Sequence, residues 1–445
     1  MADATVAAPV GQIHKPGDLI SVERLGRAEA PDPGSRPVVV YYVYYWSAAS
    51  GGSKIAAKFF LPEGEPPYAG WPVSLYCHGL GDPGQVFRRW PTTSDPWRGA
   101  FGMRAGSWAH SGYATFVPWM PGAGDSEPLM TYSPLSLNRN ARAVLDGFAA
   151  LRQLSARLRD MNEIPANRAD DPLLNFDRQV IRTNCVSSAL LVHLLGHFGR
   201  DPLLAGLRAL VADDFQPSVA YDLSYIRPFV EKLRPRLCAG VSVIRSRISW
   251  ALACEQGWPL TELFDPRAIE LFGEMVSTPV GPRQRIFNTL LLNPMKSELG
   301  NIYYEAACRS LGREPTGREL CDWGSSPAVI DLANQRDLRR ILEHPLYRKC
   351  FAASDPFFAE NIQPFEPGVP LFVIVRDSGA EDLASSVGFL PKLEERVTNM
   401  IQPKVETLRS WGWEVELMRF SAFEGTSYSG YLTQTAVLKR LADIV

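Results

Sequence analysis

The sequence predicts an α/β protein, a mostly parallel sheet with crossover helices that is interrupted by one long helical insertion. Three observations predict it. Strand and helix patterns alternate through the first half of the chain. From about residue 224 to 365 the strand rhythm gives way to apolar residues at three- and four-residue spacing. It resumes at Pro370–Val375 and ends with helix, strand and helix. Strands that alternate with helices form parallel sheets because each crossover helix carries the chain back over the sheet.

The elements follow in order. Residues 1–36, rich in Pro, Gly and Ala, read as an N-terminal arm. Val38–Trp46 is β-branched and aromatic, and Gly51-Gly52 turns it into Ile55–Leu61, a hairpin. Trp71–Tyr76 and Tyr113–Pro118 are short strands with a helical stretch around Ala100–His110 between them. Asn138–Leu154 carries Val144, Leu145, Phe148 and Leu151 at helical spacing. Arg178–Asn184 is a strand that runs directly into the apolar helix Val186–Phe198, and Leu207–Ala212 is a strand again. After the insertion come Pro391–Trp411 (helical), Trp413–Phe420 (strand) and Tyr431–Ile444 (helix). The chain thus divides into the arm, an α/β core over 37–223 and 366–445, and a helical lid or cap over 224–365.

Composition excludes several classes of function. With 46% hydrophobic and 21% charged residues the chain can bury a sizeable core. Forty-six basic residues against 48 acidic ones leave a net charge of −2, which provides no basic field for nucleic acid or an anionic bilayer. The seven cysteines are scattered and include no Cys-x-x-Cys, which argues for a reducing, cytoplasmic setting and against a disulfide framework or zinc knuckle. No signal peptide is expected at the N-terminus, and the uncharged runs Ala105–Gly124 and Thr183–Gly199 are too interrupted for membrane spans. No nucleotide or flavin fingerprint occurs, and no cofactor is expected.

Three motifs carry chemistry. His78-Gly79-Leu80-Gly81-Asp82 closes a strand, and a glycine-rich turn there lets backbone N–H groups approach a developing oxyanion. Pro121-Gly122-Ala123-Gly124-Asp125-Ser126 closes another strand and reads as scaffold. Arg178 to Leu190 is a strand, a single tip residue and an immediate helix, the geometry that exposes a nucleophile above a helix N-terminus.

In this order the motifs resemble the α/β-hydrolase fold, most nearly the secretory-lipase-type members. Gly17-Asp18-Leu19-Ile20, the aromatic hairpin Val38–Pro62, the His-Gly turn, the Pro-Gly-x-Gly-Asp-Ser turn, the elbow and the helical lid all have counterparts there. The resemblance implies a nucleophile at the elbow, an oxyanion hole from Gly79, Leu80 and Val186, an acid after Pro370–Val375 and a histidine before the last helix. The residues depart from this at three places. The elbow reads Thr183-Asn184-Cys185-Val186-Ser187, with Cys185 in the serine's place and Ser187 as the alternative nucleophile in a shifted register. Acid candidates are Asp377, Glu381 and Asp382, with Asp213 and Asp214 at the neighbouring strand end as another position. The six histidines stand at 14, 78, 110, 193, 197 and 344, so none follows 344 and Tyr428 or Ser427 occupies the expected place. His78 and the lid's His344 are the candidate substitutes. The His193/His197 pair lacks a metalloprotease glutamate and reads as core.

Losing its base costs a serine triad several orders of magnitude, whereas a cysteine ionises unaided to a few per cent at neutral pH. The first reading of function is therefore a non-hydrolytic enzyme on a hydrophobic metabolite, with Asp213, Asp214, Tyr428 or His78 performing acid–base chemistry such as cyclisation, isomerisation or elimination. The alternatives are a Cys185-dependent acyl hydrolase or transferase, and an inactive ligand-binding pseudohydrolase.

Overall fold

The computed structural model describes residues 14–29, 34–78, 106–122, 126, 136–160, 172–184, 187–213, 215, 230–277, 298–335, 337–358, 360–361, 365–376, 397–420, 437–442 and 444. Among these, nine strands form one sheet in the order β1-β2-β3-β5-β4-β6-β7-β8-β9. The strands are β1 (Leu19–Ala28), β2 (Val38–Ser47), β3 (Ser53–Pro62), β4 (Trp71–Cys77), β5 (Ala114–Pro118), β6 (Leu174–Asn184), β7 (Leu207–Asp213), β8 (Leu371–Arg376) and β9 (Val415–Phe420). The first three form an antiparallel meander that joins β5 antiparallel, and β5, β4, β6, β7, β8 and β9 are all mutually parallel.

Two faces of the sheet are buried, and the strand sequences show why. Alternate residues of the parallel strands point to opposite sides. Ile181, Leu210, Ala212, Val373 and Val375 face one core, beneath the helices α1 (Leu137–Asp160), α2 (Ser187–Phe198) and α10 (Gln402–Ser410). Val180, Ala209, Val211, Phe372 and Ile374 face the other, against Trp108, Val437 and Leu441 from short helical stretches at 106–110 and 437–441. Continuous apolar runs, rather than strict alternation, are what a doubly covered parallel sheet requires.

Residues 19–28, within the segment read as an arm, form the edge strand β1. An edge strand half-exposed on one face needs few apolar side chains, so its sequence, LISVERLGRA, carries a weak strand signal. The Gly17-Asp18 motif is structural. The Gly17 N–H donates to the Trp46 carbonyl (2.8 Å), and Trp46 N–H donates to the Asp18 carbonyl (2.9 Å). Gly17 has φ +86°, and a Cβ there would lie 2.4 Å from the Ala149 Cβ, so only glycine lets this loop seat on α1. The same helix is tied to the hairpin by Tyr45 Oη donating to the Ala143 carbonyl (2.8 Å) and by Ser47 Oγ and Ala48 N donating to Asp146 Oδ2. Ser126, from the glycine-rich turn after β5, accepts from the Ala56 N–H at 3.0 Å, a scaffolding role.

The insertion is helical: α3 (Pro235–Gln256), α4 (Pro266–Ser277), α5 (Glu298–Leu311), α6 (Gly317–Asp322), α7 (Pro327–Asn334), α8 (Leu338–Glu343) and α9 (Pro345–Ser354). It has a hydrophobic centre of its own, with Trp250, Phe264, Phe272, Tyr303 and Trp323 in ring contact. Helix α3 is long and apolar enough to cross a bilayer by length and composition, but 62% of its most apolar stretch is buried in the protein. It is tied to the core at its C-terminal end. Ser136 Oγ donates to the Glu255 carboxylate, and Arg139 Nε lies 3.7 Å from Glu255 Oε2 at the start of α1.

Candidate active site

The parallel strands all point their C-terminal ends to one edge, the usual place for a ligand in an open α/β sheet. Register brings the chemistry-bearing tips together there. Cys77 pairs with Thr183, and Asn184 pairs with Asp213. Strand β6 ends at Asn184 and α2 begins at Ser187, so only residues 185 and 186 connect strand and helix. The junction thus lies beside the N-terminus of α2, where partial positive charge favours an anion.

Each sequence candidate can be placed. Cys185, Val186, Gly79, Leu80, Asp214, Asp377, Glu381, Asp382, Ser427 and Tyr428 lie outside the described residues. Their flanks are described. His78 is fully buried at the end of β4. The Ser187 hydroxyl donates to the His78 carbonyl oxygen. Ser187, the shifted-register nucleophile, is thus a buried first residue of α2 that clasps the end of β4 to the helix. This clasp holds the residues just before Gly79 against those just after Val186. Asp213 ends β7, buried, and its carbonyl accepts a long 3.4 Å bond from Asn184 Nδ2.

Two side chains at this edge went unnoticed in the sequence. Asn184 bridges β6 to β7. Arg182, buried two residues before it, lies with its guanidinium 3.9 Å from the Trp108 ring centroid and 5.1 Å from that of Tyr76. An arginine directly after the apolar pair Val180-Ile181 was the available signal, since a buried guanidinium requires stacking or charge partners. The Cys77 thiol is no rival to Cys185, because complete burial pushes its ionisation up and holds it as the thiol.

The remaining histidines have structural surroundings. His14 lies with its ring 5.6 Å from Trp46, and His110 Nδ1 meets the Arg36 carbonyl. His344 caps α9, its Nδ1 accepting from the Leu346 N–H at 3.2 Å. The His193 and His197 rings lie 4.1 Å apart. His193 Nε2 meets Asn138 Oδ1 at 2.8 Å, and burial, followed by the neighbouring His197, lowers its pKa to about 3. Among the described residues no group of three metal-ligating side chains occurs.

This sheet order, with a helix starting three residues after the end of β6 and a helical insertion before β8, is the α/β-hydrolase fold. No family model matches the chain, and no curated protein does. The chain is similar to solved structures. One is a Legionella pneumophila protein provisionally assigned as a hydrolase, with a TM-score of 0.58 at 13% identity, covering 95% of this chain and 97% of that one. A second is the rice cell wall degrading esterase LipA of Xanthomonas oryzae, with a TM-score of 0.55 at 13% identity over 96% and 98%. A third is Candida antarctica lipase A, with a TM-score of 0.51 at 10% identity over 91% and 77%.

Proposed function

We propose that the protein is an acyl hydrolase or transferase acting on a hydrophobic ester or thioester, with Cys185 as nucleophile. The observation that carries this reading is the clasp from the Ser187 hydroxyl to the His78 carbonyl. It joins the two chain segments that lead into the expected oxyanion donors, Gly79 and Leu80 on one side and Val186 on the other. The esterase and lipase neighbours on the same fold place this reading ahead of the non-hydrolytic one that the missing histidine favours from sequence alone.

The chemistry follows from the residues. The Cys185 thiolate, favoured by the α2 N-terminus, attacks the carbonyl carbon, and the carbonyl π pair moves onto oxygen. Backbone N–H groups of Val186 and the Gly79-Leu80 turn hold that oxyanion. The carbonyl re-forms as the carbon–oxygen bond to the leaving alcohol breaks, and the alkoxide takes a proton from solvent. Water, or an acceptor alcohol in a transferase, then cleaves the thioester. A thiol needs less help from a base than a serine does, which reconciles the elbow with the lack of any histidine after His344. The apolar cap supplies the greasy wall for the acyl chain. The described cysteines form no disulfide, which suits a reducing cytoplasmic setting in which Cys185 stays available.

The test is turnover of p-nitrophenyl esters of graded acyl length by wild type and Cys185→Ala, with a thiol-directed electrophile mapped by mass spectrometry. The expected result is label on Cys185 and a loss in the variant of ~100-fold or more. Undiminished turnover in a folded Cys185→Ala protein removes the reading. The buried Asp213 at the tip of β7 favours a second reading, acid–base chemistry without a covalent intermediate, in which Asp214, Tyr428 and His78 are the available partners. It predicts turnover of a hydrophobic metabolite that survives Cys185→Ala and is lost in Asp213→Asn. Binding without turnover in either protein is the signature of the pseudohydrolase.

A further inference from the structure

The cap holds a pair of cysteines that the elbow chemistry does not use. Cys238 sits in the first turn of α3 and Cys321 near the end of α6, and they are 83 positions apart in sequence. Their sulfurs lie 3.5 Å apart. A disulfide needs them at about 2.05 Å, so an approach of about 1.5 Å closes the bond.

Both sulfurs are carried on well-fixed backbone. Helix α6 opens with a capping box in which Thr316 Oγ1 accepts from Glu319 N–H and the Glu319 carboxylate accepts from Thr316 N–H. Tyr303 Oη pins its other end at the Leu320 carbonyl (3.1 Å) and the Trp323 carbonyl. The Gly317 carbonyl accepts from the Cys238 thiol at 3.0 Å. A Cβ at Gly317 would lie 2.3 Å from the Glu231 carbonyl oxygen, so glycine is what permits this close packing.

The two thiols are not equivalent. Cys238 is fully buried, and its ionisation is pushed up, first by the hydrogen bond with Cys321 and then by burial. Cys321 is half-buried, and the Ser242 hydroxyl donates to its sulfur at 3.9 Å, a weak contact. Solvent therefore reaches Cys321 first, and Cys238 waits behind it.

We propose that Cys238 and Cys321 are a redox-modifiable dithiol that small-molecule disulfides oxidise to an intramolecular disulfide stapling α3 to α6. The Cys321 thiolate attacks one sulfur of the reagent R–S–S–R, its S–S bond breaks, and one RS⁻ leaves. The Cys238 sulfur then attacks the Cys321 sulfur of the mixed disulfide, and the second RS leaves with the Cys238 proton as RSH. The dithiol loses two electrons and the reagent is reduced to two thiols. The bond closes a long loop of the cap and restrains its unfolded ensemble.

The full-length protein is equilibrated with reduced or oxidised glutathione, quenched with an alkylating agent and counted for thiols under denaturing conditions. Seven thiols are expected after reduction, and after oxidation Cys238 and Cys321 are both lost as thiols and recovered in a proteolytic fragment that links them and carries no glutathione. Reductant then restores seven. Cys321→Ser, at the more exposed position, leaves Cys238 a free thiol in both buffers, and Cys238→Ala traps glutathione on Cys321 as a stable mixed disulfide. Hydrogen exchange across 235–256 and 317–322 slows in the oxidised wild type. Seven thiols in excess oxidised glutathione overturn the proposal. So does a linkage of either cysteine to a different partner, or a linked protein whose exchange in these helices is unchanged.

Discussion

The sheet core and the cap solve the same burial problem by different means. In the core, side chains from nine strands interlock on two faces, and residues such as Phe59, Phe116, Val180 and Val373 have no exposed surface at all. In the cap, helices surround one hydrophobic cluster, and several members of it, including Trp250 and Leu237, keep a little exposure. The core is held by a continuous hydrogen-bonded ladder. Among its described residues the cap has one isolated bridge, Phe264 to Ser325, and otherwise depends on helix caps, single hydroxyl contacts and ring packing. The difference teaches that the sheet is one interlocked unit, whereas the helical insertion, with a hydrophobic centre of its own, can loosen without dissolving it.

The largest expected effect tests this directly. Phe116→Ala empties a site packed against Tyr45 and Phe59 and costs about 3–5 kcal/mol, read as a lowered denaturation midpoint for the whole molecule. Trp250→Ala removes a similar volume from the cap, yet its loss is expected to appear as faster hydrogen exchange confined to residues 235–354. If both variants accelerate exchange throughout the sheet, cap and core form one cooperative unit and the contrast fails.

A smaller effect probes the seam between them. Glu255→Gln leaves Arg139, whose side chain is only 5% exposed, without its carboxylate. A destabilisation of about 2 kcal/mol is expected, below the cost of breaking a fully buried pair because Glu255 keeps partial solvent access. Exchange measured at both ends of α3 checks it, with the increase expected near 255 and not near 235.

The smallest, over the range from pH 6.5 to 5, is a pH dependence of somewhat under ~2 kcal/mol. His193 binds a proton in the unfolded chain near its ordinary pKa of 6.5, but in the folded protein only near 3. The unfolded state therefore holds the extra proton between those values. Stability from this residue is fully present above pH 6.5 and declines as pH falls toward 3, by up to about 1.4 kcal/mol per pH unit. His193→Gln is expected to flatten the stability profile below pH 6.5 by that one-proton slope. An unchanged slope in urea titrations at pH 6.5 and 5 shows that the imidazole is protonated in the native state.

The strands were legible because their sequences carry the physics directly. Val38–Trp46 and Pro370–Val375 are β-branched or aromatic runs bounded by turn residues, and the structure extends the first by one residue and moves the second one residue on, to Leu371–Arg376. β1 was missed because an edge strand such as Leu19–Ala28 mixes charge with apolar residues. The junction of β6 and α2 was readable as a strand that meets a helix with almost no loop. What ties that junction to its neighbours was not, because the Ser187 contact to His78 spans 109 positions and serine at a helix start has many uses. The Cys238–Cys321 pair was hidden for the same reason: no spacing rule links residues brought together by two helices crossing.

The tie between the start of α2 and the end of β4 also bears on how this edge could be re-engineered. One hydroxyl yokes two loops that sequence treats as separate parts. Grafting a foreign turn after His78, or a foreign elbow before Ser187, would drag the other along with it. Designs that exchange both loops as a matched set keep their relative pose, whereas Ser187→Ala uncouples them and lets each drift on its own.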